Sequence, residues 1–416
     1  MQDNEELFDQ NESVVENAEE TAEPIENFED NNDSGQETET VQKKKKSRKT
    51  WIIIPIILLL LIALAVVSAL IFVKQYFNYN YKEITSKPEE LGFEEVIEEK
   101  TINIALFGFD SRNEKSFTGR SDSIMILSLN TGTKEIKLIS VMRDSFVPIN
   151  YKNKISYNKI NSAYAKGGPE LAMKTLNTVF GLDISEYATV NFFGMADIID
   201  ALGGIEAEVT QSEVRHLNNG VTEQCRYSGD DAEKYKINSA GKQKLNGIQA
   251  VAYARIRYTS NAEGTSNDYG RTDRQRYVLN QLFNKAKTLE KSKYPALIKA
   301  TMPFCETSLS YTEIMDLALK IMLQSPTFEE TRVPDTNYTM KAPKTSAGSI
   351  VYYDLNFAAQ LIHSFIYDDV KPEDYIATNG IKKYDWYNKG FKPPVFEKNE
   401  NKTNNQAESS QTTETK

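Results

Sequence analysis

Five of the chain's 12 arginines fall in one window of 22 residues, RIRYTSNAEGTSNDYGRTDRQR (255–276), although the chain holds 37 lysines. A guanidinium is a planar, permanently charged fork that grips phosphate oxygens in pairs, which a lysine ammonium does not. Arg255 and Arg257 alternate, so in extended chain both point to one side. Arg271, Arg274 and Gln275 stand at i, i+3 and i+4, on one face of a helix that starts near Asp268. The plain alternative is a solvated charged face, which lysine would serve equally well. Three more charged groups close or open apolar runs: Asp110 in GFDSR, Asp122 in GRSD and Arg143 in SVMRD. Two neighbouring carboxylates ionise together only at a cost unless a cation lies near. A hard ion such as Mg²⁺ (or Mn²⁺) takes one or two carboxylates and fills its other positions with water or phosphate oxygens. The bland reading is that each aspartate caps a turn. A fixed arginine set opposite a two-carboxylate metal site is the arrangement with which phosphoryl-transfer centres neutralise developing charge.

These residues converge only if the elements carrying them do. INIALFGF (102–109), SDSIMILSLN (121–130) and KEIKLISV (134–141) are apolar runs of strand length, the last two joined by a TG turn as a hairpin. Antiparallel pairing in chain order brings the end of the first, the start of the second and the end of the third to one sheet edge. GGPELAMKTLNTVFG (167–181) reads as a helix with Pro169 in its first turn. YATVNF is a strand, GMADIIDALGG a helix stopped by glycines and IEAEV a strand. LNGIQAVAYARIRY is a short helix running into extended chain, and DYGRTDRQRYVLNQLFNKAKTL a longer helix. Strands alternating with helices predict an α/β class, a mixed central sheet flanked by helices.

The ends of the chain are different material. Residues 1–42 hold fifteen acidic residues and no basic one, the composition of a disordered tail. A basic juxtamembrane cluster (43–50) follows, then 23 uncharged apolar residues from Trp51 to Val73. At about 1.5 Å per residue these cross a hydrocarbon core of roughly 30 Å. An apolar run of 23 residues is long for a cleaved signal peptide. Positive charge before the span predicts a single-pass protein with the N-terminus in the cytoplasm and residues 74–416 outside the cell membrane. Residues 74–99 read as a juxtamembrane stalk, 371–397 as a C-terminal extension and 398–416 as a polar disordered tail. The chain carries −10 overall, but setting aside the acidic tail and the basic cluster leaves −1 from residue 50 onward. A nearly neutral outer domain argues against nucleic acid as a partner.

Cys225 and Cys305 are the only cysteines, and the sequence leaves open whether they pair. His216 and His363 stand far apart without neighbouring ligands, so each reads as an ordinary surface or core residue rather than part of a zinc site.

In order along the chain, FGFDSR, GRSDSIMILSLN, SVMRDSF, KINSAYAKGG, LGGIEAEV, LNGIQAVAYARIR and DYGRTDRQR resemble the LytR-CpsA-Psr family of envelope proteins, over roughly residues 100–370. The resemblance implies an enzyme that moves a phosphate-linked glycopolymer, of teichoic acid or capsule type, from a polyprenyl pyrophosphate carrier to peptidoglycan with Mg²⁺ assistance. It places metal binding on Asp110 and Asp122, and pyrophosphate binding on Arg143, Arg255, Arg257, Arg271 and Gln275. Arg120 and Asp268 fall inside matching motifs. Arg143, Arg255, Arg257 and Asp122 would carry the transfer, Asp122 also as a candidate to deprotonate the attacking hydroxyl. Met142 stands where the family usually has Pro, Ser145 where Thr is common, and the ten-residue loop 258–267 is a few residues longer than the family's pattern. Two other readings stay open: a binding module without turnover, and a transcriptional attenuator, for which an acidic tail with one short basic cluster offers little nucleic-acid surface.

Overall fold

The computed structural model describes residues 79–109, 117–324, 326–394 and 396. The N-terminal tail, the basic cluster, the apolar run 51–73, Asp110 and the tail from 398 lie outside the described residues. In chain order the strands are β1 (Asn80–Tyr81), β2 (Thr101–Phe109), β3 (Ser123–Asn130), β4 (Glu135–Val141), β5 (Phe146–Tyr151), β6 (Lys154–Lys159), β7 (Glu186–Asn191), β8 (Ile205–Val209), β9 (Gly241–Leu245), β10 (Cys305–Thr307) and β11 (Thr327–Val333). Seven of them form one mixed sheet ordered β1-β10-β7-β2-β3-β4-β11. The helices are α1 (Ser162–Phe180), α2 (Phe192–Ala201), α3 (Gln211–Ser228), α4 (Gly247–Ala254), α5 (Asn267–Thr288), α6 (Tyr294–Thr301), α7 (Tyr311–Gln324) and α8 (Leu355–Tyr367).

The expected antiparallel run of β2, β3 and β4 is present, with Gly108 opposite Ser123 and Met125 opposite Ser140. Strand β7 adds to β2 and β11 to β4, both parallel. Alternation then sorts the side chains. Ala105, Phe107, Phe109, Ile124, Ile126, Ile139 and Val141 share one core with α1 and α8. A second core lies among α2, the β8–β9 hairpin, α3, α4 and α5, centred on Ile199, Ile205, Leu217, Val221 and Val251. The sheet edge and this second core together hold the charged motifs.

Helix α1 begins at Ser162, five residues before the expected start, and breaks at Gly167 and Gly168. Proline excludes the α conformation from the residue before it, and Gly168 meets that demand at φ +67°. The boundaries read from composition also differ from the packing. The described part of the 74–99 segment supplies β1, buries Leu91 and donates Ile97 N–H to Asp183 Oδ2 at 2.8 Å. Within 371–397, Trp386 is 1% exposed and donates Nε1–H to the Tyr353 carbonyl at 2.9 Å. A few apolar anchors suffice to dock a segment whose average composition is polar.

Helix α4 starts on an Asn246–Gln249 capping box, and its first residue, Gly247, lies against the backbone of α2. A Cβ at Gly247 would collide with the Ala196 carbonyl oxygen. Gly247→Ala is expected to cost about 1–3 kcal/mol through the forced displacement of α4. Thermal denaturation of the variant beside the parent chain checks this.

Candidate active site

The three strand ends deliver Asp122 and Arg143 to one edge, where an Arg143 Nη1–H donates to Asp122 Oδ1. From α5, Asp268 reaches the same place. Its Oδ1 lies 2.9 Å from Arg271 Nη2, 3.7 Å from Arg143 Nη2 and 4.0 Å from Arg257 Nε. Arg257 Nη2 is also 4.0 Å from Asp122 Oδ1. Arginines and aspartates therefore alternate: Arg143, Arg257 and Arg271 share two carboxylates among three cations. Behind them Asp144 lies 3.9 Å from Arg143 Nε and 2.9 Å from Lys159 Nζ, so this neighbouring pair adds no net charge.

Arg271 is the deepest of the three, its side chain 4% exposed, and its Nε and Nη1 have no hydrogen-bond partner among the described residues. Burial pushes its guanidinium down to about 10; Arg143 and Arg257 push the same way, and Asp268 pulls it back up. The penalty on the charged form is in full force below about pH 10 and is relieved above it, so it gives no pH dependence near neutrality. An anion arriving beside Arg271 offsets that penalty.

A cavity of about 330 Å³ opens onto this cluster, lined by Asp122, Arg255, Arg257, Arg271 and Gln275. Its far wall is one stripe of α3, formed by His216, Asn219, Gly220 and Glu223. The sequence reading missed this wall. The signal was present as spacing, since 216, 219, 220 and 223 follow i, i+3, i+4 and i+7, but nothing local said which side of α3 faces the arginines. Arg255 lies over the Phe192 ring, 4.6 Å from its centroid, and Nη2 pairs with Glu223 Oε2 at 3.2 Å. Glu223 thus competes with any anion for Arg255. Glu223→Gln is expected to tighten binding of inorganic pyrophosphate by about two- to five-fold, the range of a partly exposed ion pair. Titration calorimetry on the two proteins measures it.

The remaining arginines of the window have other work. Arg274, which the spacing placed beside Arg271, is fully buried: Nε donates to Glu213 at 2.7 Å, Nη1 to the Ile256 carbonyl at 3.0 Å and Nη2 to the Thr259 carbonyl at 2.9 Å. Arg276 pairs with Asp273 at 2.8 Å and Glu330 at 3.7 Å, and burial lowers its pKa. Arg120 is exposed and is not among the residues lining the cavity. His363 is buried against the Gly181 carbonyl, and burial lowers its pKa to about 4. Cys225 and Cys305 are free thiols. Among the described residues no group of three or more His, Cys, Asp or Glu is placed to hold a metal ion. Asp122 is the one carboxylate of the expected metal pair that is described.

A model of the LytR_cpsA_psr family matches residues 68–357. The polyisoprenyl-teichoic acid–peptidoglycan teichoic acid transferase TagU of Enterococcus faecalis is 32% identical over 220 residues, 52% of this chain and 65% of its own length. The transferase TagV of Bacillus subtilis is 31% identical over 218 residues, 52% of this chain and 52% of its own length. The matched segment thus spans between about half and two thirds of these relatives. The solved LytR-CPS2A-psr family protein YwtF (TagT) with bound octaprenyl pyrophosphate lipid matches at a TM-score of 0.48 and 20% identity, over 70% of this chain and 99% of that one.

Proposed function

The chain belongs to the LytR-CpsA-Psr family, and from that membership we propose that it is a membrane-anchored phosphotransferase that moves a phosphate-linked anionic glycopolymer from a polyprenyl pyrophosphate carrier to peptidoglycan. The observation that carries the reading is Arg255, Arg257 and Arg271 on one cavity, with Arg143 beside them on the shared carboxylates of Asp122 and Asp268, and with Arg271 buried and two of its nitrogens unpartnered among the described residues. Such a set has the charge and the fork geometry for two adjacent phosphates. The names of the relatives at about 30% identity, transferases of teichoic acid to peptidoglycan, support the donor and acceptor classes.

In this reading Arg143, Arg255, Arg257 and Arg271 together bind the two phosphates. A sugar hydroxyl of the acceptor attacks the polymer-side phosphorus. The new O–P bond forms as the bond from that phosphorus to the bridging oxygen breaks, polyprenyl phosphate departs, and the hydroxyl proton passes to Asp122. The arginines stabilise the charge that develops on the departing phosphate. Asp122 also fits a hard divalent ion, because both of its arginine contacts run to Oδ1 and such ions need only one or two carboxylates beside phosphate oxygens. Asp122, with Asp110, would hold Mg²⁺, which supplies charge neutralisation on the diphosphate when bound. For the lipid tail, the second face of the sheet offers apolar residues left half-buried, Leu106 and Leu127. The apolar run 51–73 would anchor the chain as a single span, with the domain outside the cell membrane.

The test uses the full chain in detergent with a lipid-linked polymer and peptidoglycan. Polyprenyl phosphate released together with polymer joined to glycan, in the presence of a divalent ion, is the expected result. Donor binding without turnover under every metal and acceptor condition would replace the enzyme with a binding module.

A further inference from the structure

We propose that a second cavity, on the face of α5 opposite the arginine cluster, binds a hydroxyl-rich saccharide that carries no phosphate and is uncharged or amine-bearing. Arg271 and Gln275 point from one side of α5 into the first cavity. Asp273, Arg276 and Asn280, at i, i+3 and i+7, line a second cavity of about 380 Å³ on the other side. The helix itself, about 10 Å across, separates the two.

Their electrostatics are opposite. In the second cavity every guanidinium is ion-paired, although the Nε of Arg276 and of Arg332 have no hydrogen-bond partner among the described residues: Arg332 pairs with Asp273 at 2.5 Å and Asp335 at 3.1 Å, Arg276 with Asp273 and Glu330, Arg274 with Glu213. What remains is acidic, because Glu208 and Glu263 line the cavity and neither has an ion-pair partner among the described residues. A phosphate would be repelled there. Free carboxylates beside the amides of Asn261 and Asn280 and the ring of Tyr277 offer acceptors, donors and an apolar surface, the mixture that alternating hydroxyls and CH faces of a sugar require. An ammonium on the sugar would meet Glu208 and Glu263.

One loop touches both cavities. Tyr258, 80% exposed, lines the first, and Ala262 and Glu263 line the second. The loop is held from below by the Arg274 bonds to the carbonyls of Ile256 and Thr259, and closed on itself by Thr265 N–H donating to Asn261 Oδ1 at 2.7 Å. A glycan crossing this loop would rest one sugar on the Tyr258 ring and another in the second cavity. Resting on the transferase reading above, that glycan is the acceptor, and the second cavity sets its register over the diphosphate.

The experiment titrates the full chain in detergent with a tetramer of β-1,4-linked N-acetylglucosamine, and separately with inorganic pyrophosphate. Ala262 is exposed, so Ala262→Trp fills the cavity mouth without removing a charge or a core contact. Glu263→Gln is the milder companion, on another exposed side chain. The expected result is saccharide binding by the parent chain, weakened at least about ten-fold in Ala262→Trp and less in Glu263→Gln, with pyrophosphate binding unchanged in both. No saccharide binding by the parent, binding indifferent to both substitutions, or displacement of the saccharide by pyrophosphate would each overturn the proposal. Saccharide binding without any transfer activity would sink only the transferase reading, and transfer with a cavity that ignores the saccharide would sink only this one.

Discussion

Arg271→Ala in the full chain is expected to lower polymer transfer by about 10²–10³-fold, the scale on which a preorganised donor to developing charge contributes. The argument is positional. Arg271 is the buried member of the cluster, and among the described residues it keeps only Asp268 as an ion-pair partner while two of its nitrogens have no hydrogen-bond partner. Its burial opposes the charged form, and Asp268 only partly offsets that cost. Removing that cation leaves Asp268 still within 3.7 Å of Arg143 and 4.0 Å of Arg257, so the fold survives. Stability should fall far less than activity, a combination that a merely structural arginine would not produce. Arg271→Lys restores charge without the fork and should recover little. Activity within a few-fold of the parent in Arg271→Ala would remove this residue from the site.

The second large effect has the reverse signature. Arg274→Ala is expected to destabilise the domain by about 3–5 kcal/mol, because it strands the Glu213 carboxylate in the interior. Both side chains are 0% exposed, and Glu213 Oε2 also accepts from the Thr210 N–H that opens α3. A loss of that size corresponds to a fall of about 10 °C in Tm. The same change frees the carbonyls of Ile256 and Thr259, so the stretch carrying Arg257 and Tyr258 loses its support, and activity should fall with stability. Replacing both partners together, Arg274→Met with Glu213→Leu, should recover most of the stability, since an apolar pair leaves no buried charge unmatched. A melting curve for each variant decides it; an Arg274→Ala protein as stable as the parent would contradict the account.

These two arginines mark how far the sequence could be read. Strand order and the convergence of Asp122 with Arg143 follow from local pattern and from antiparallel pairing, which needs no long-range information. The placing of Arg271 and Gln275 on one cavity was legible from helical spacing; Arg255 and Arg257 join them there, but Arg255 is the αR C-cap of α4 at φ −95° and ψ −8° rather than the extended chain that alternation assumed. The same spacing also put Arg274 beside Arg271, and there it failed. Helical geometry gives a direction of projection to within one residue's rotation, and it does not say that Glu213, 61 positions away, waits on that side. Nor does spacing say that Glu330 on β11 pairs with Arg276. The scarcity of arginine pointed to bound phosphate in general, yet two of the five serve the interior. The α3 wall was written in the sequence as a stripe of His216, Asn219 and Glu223, mute until the second core showed which way it turned. In the segments 74–99 and 371–397, Leu91 and Trp386 dock stretches that are otherwise polar, which average composition does not reveal.

The two-faced use of α5 bears on how chains of this kind can drift. Each residue on a helix advances about 100° around its axis, so inserting or deleting one position between Arg271 and Asn280 would swing the acid-facing side toward the arginines and spoil both cavities together. The stretch between Thr259 and Thr265 carries no such phase: its ends are held by Arg274 and by the Asn261 closure, and residues added at its tip change reach without rotating anything. Changes of length should therefore collect at that tip and be purged from α5, making the loop the part of the molecule whose reach over the two cavities can be tuned in small, independent steps.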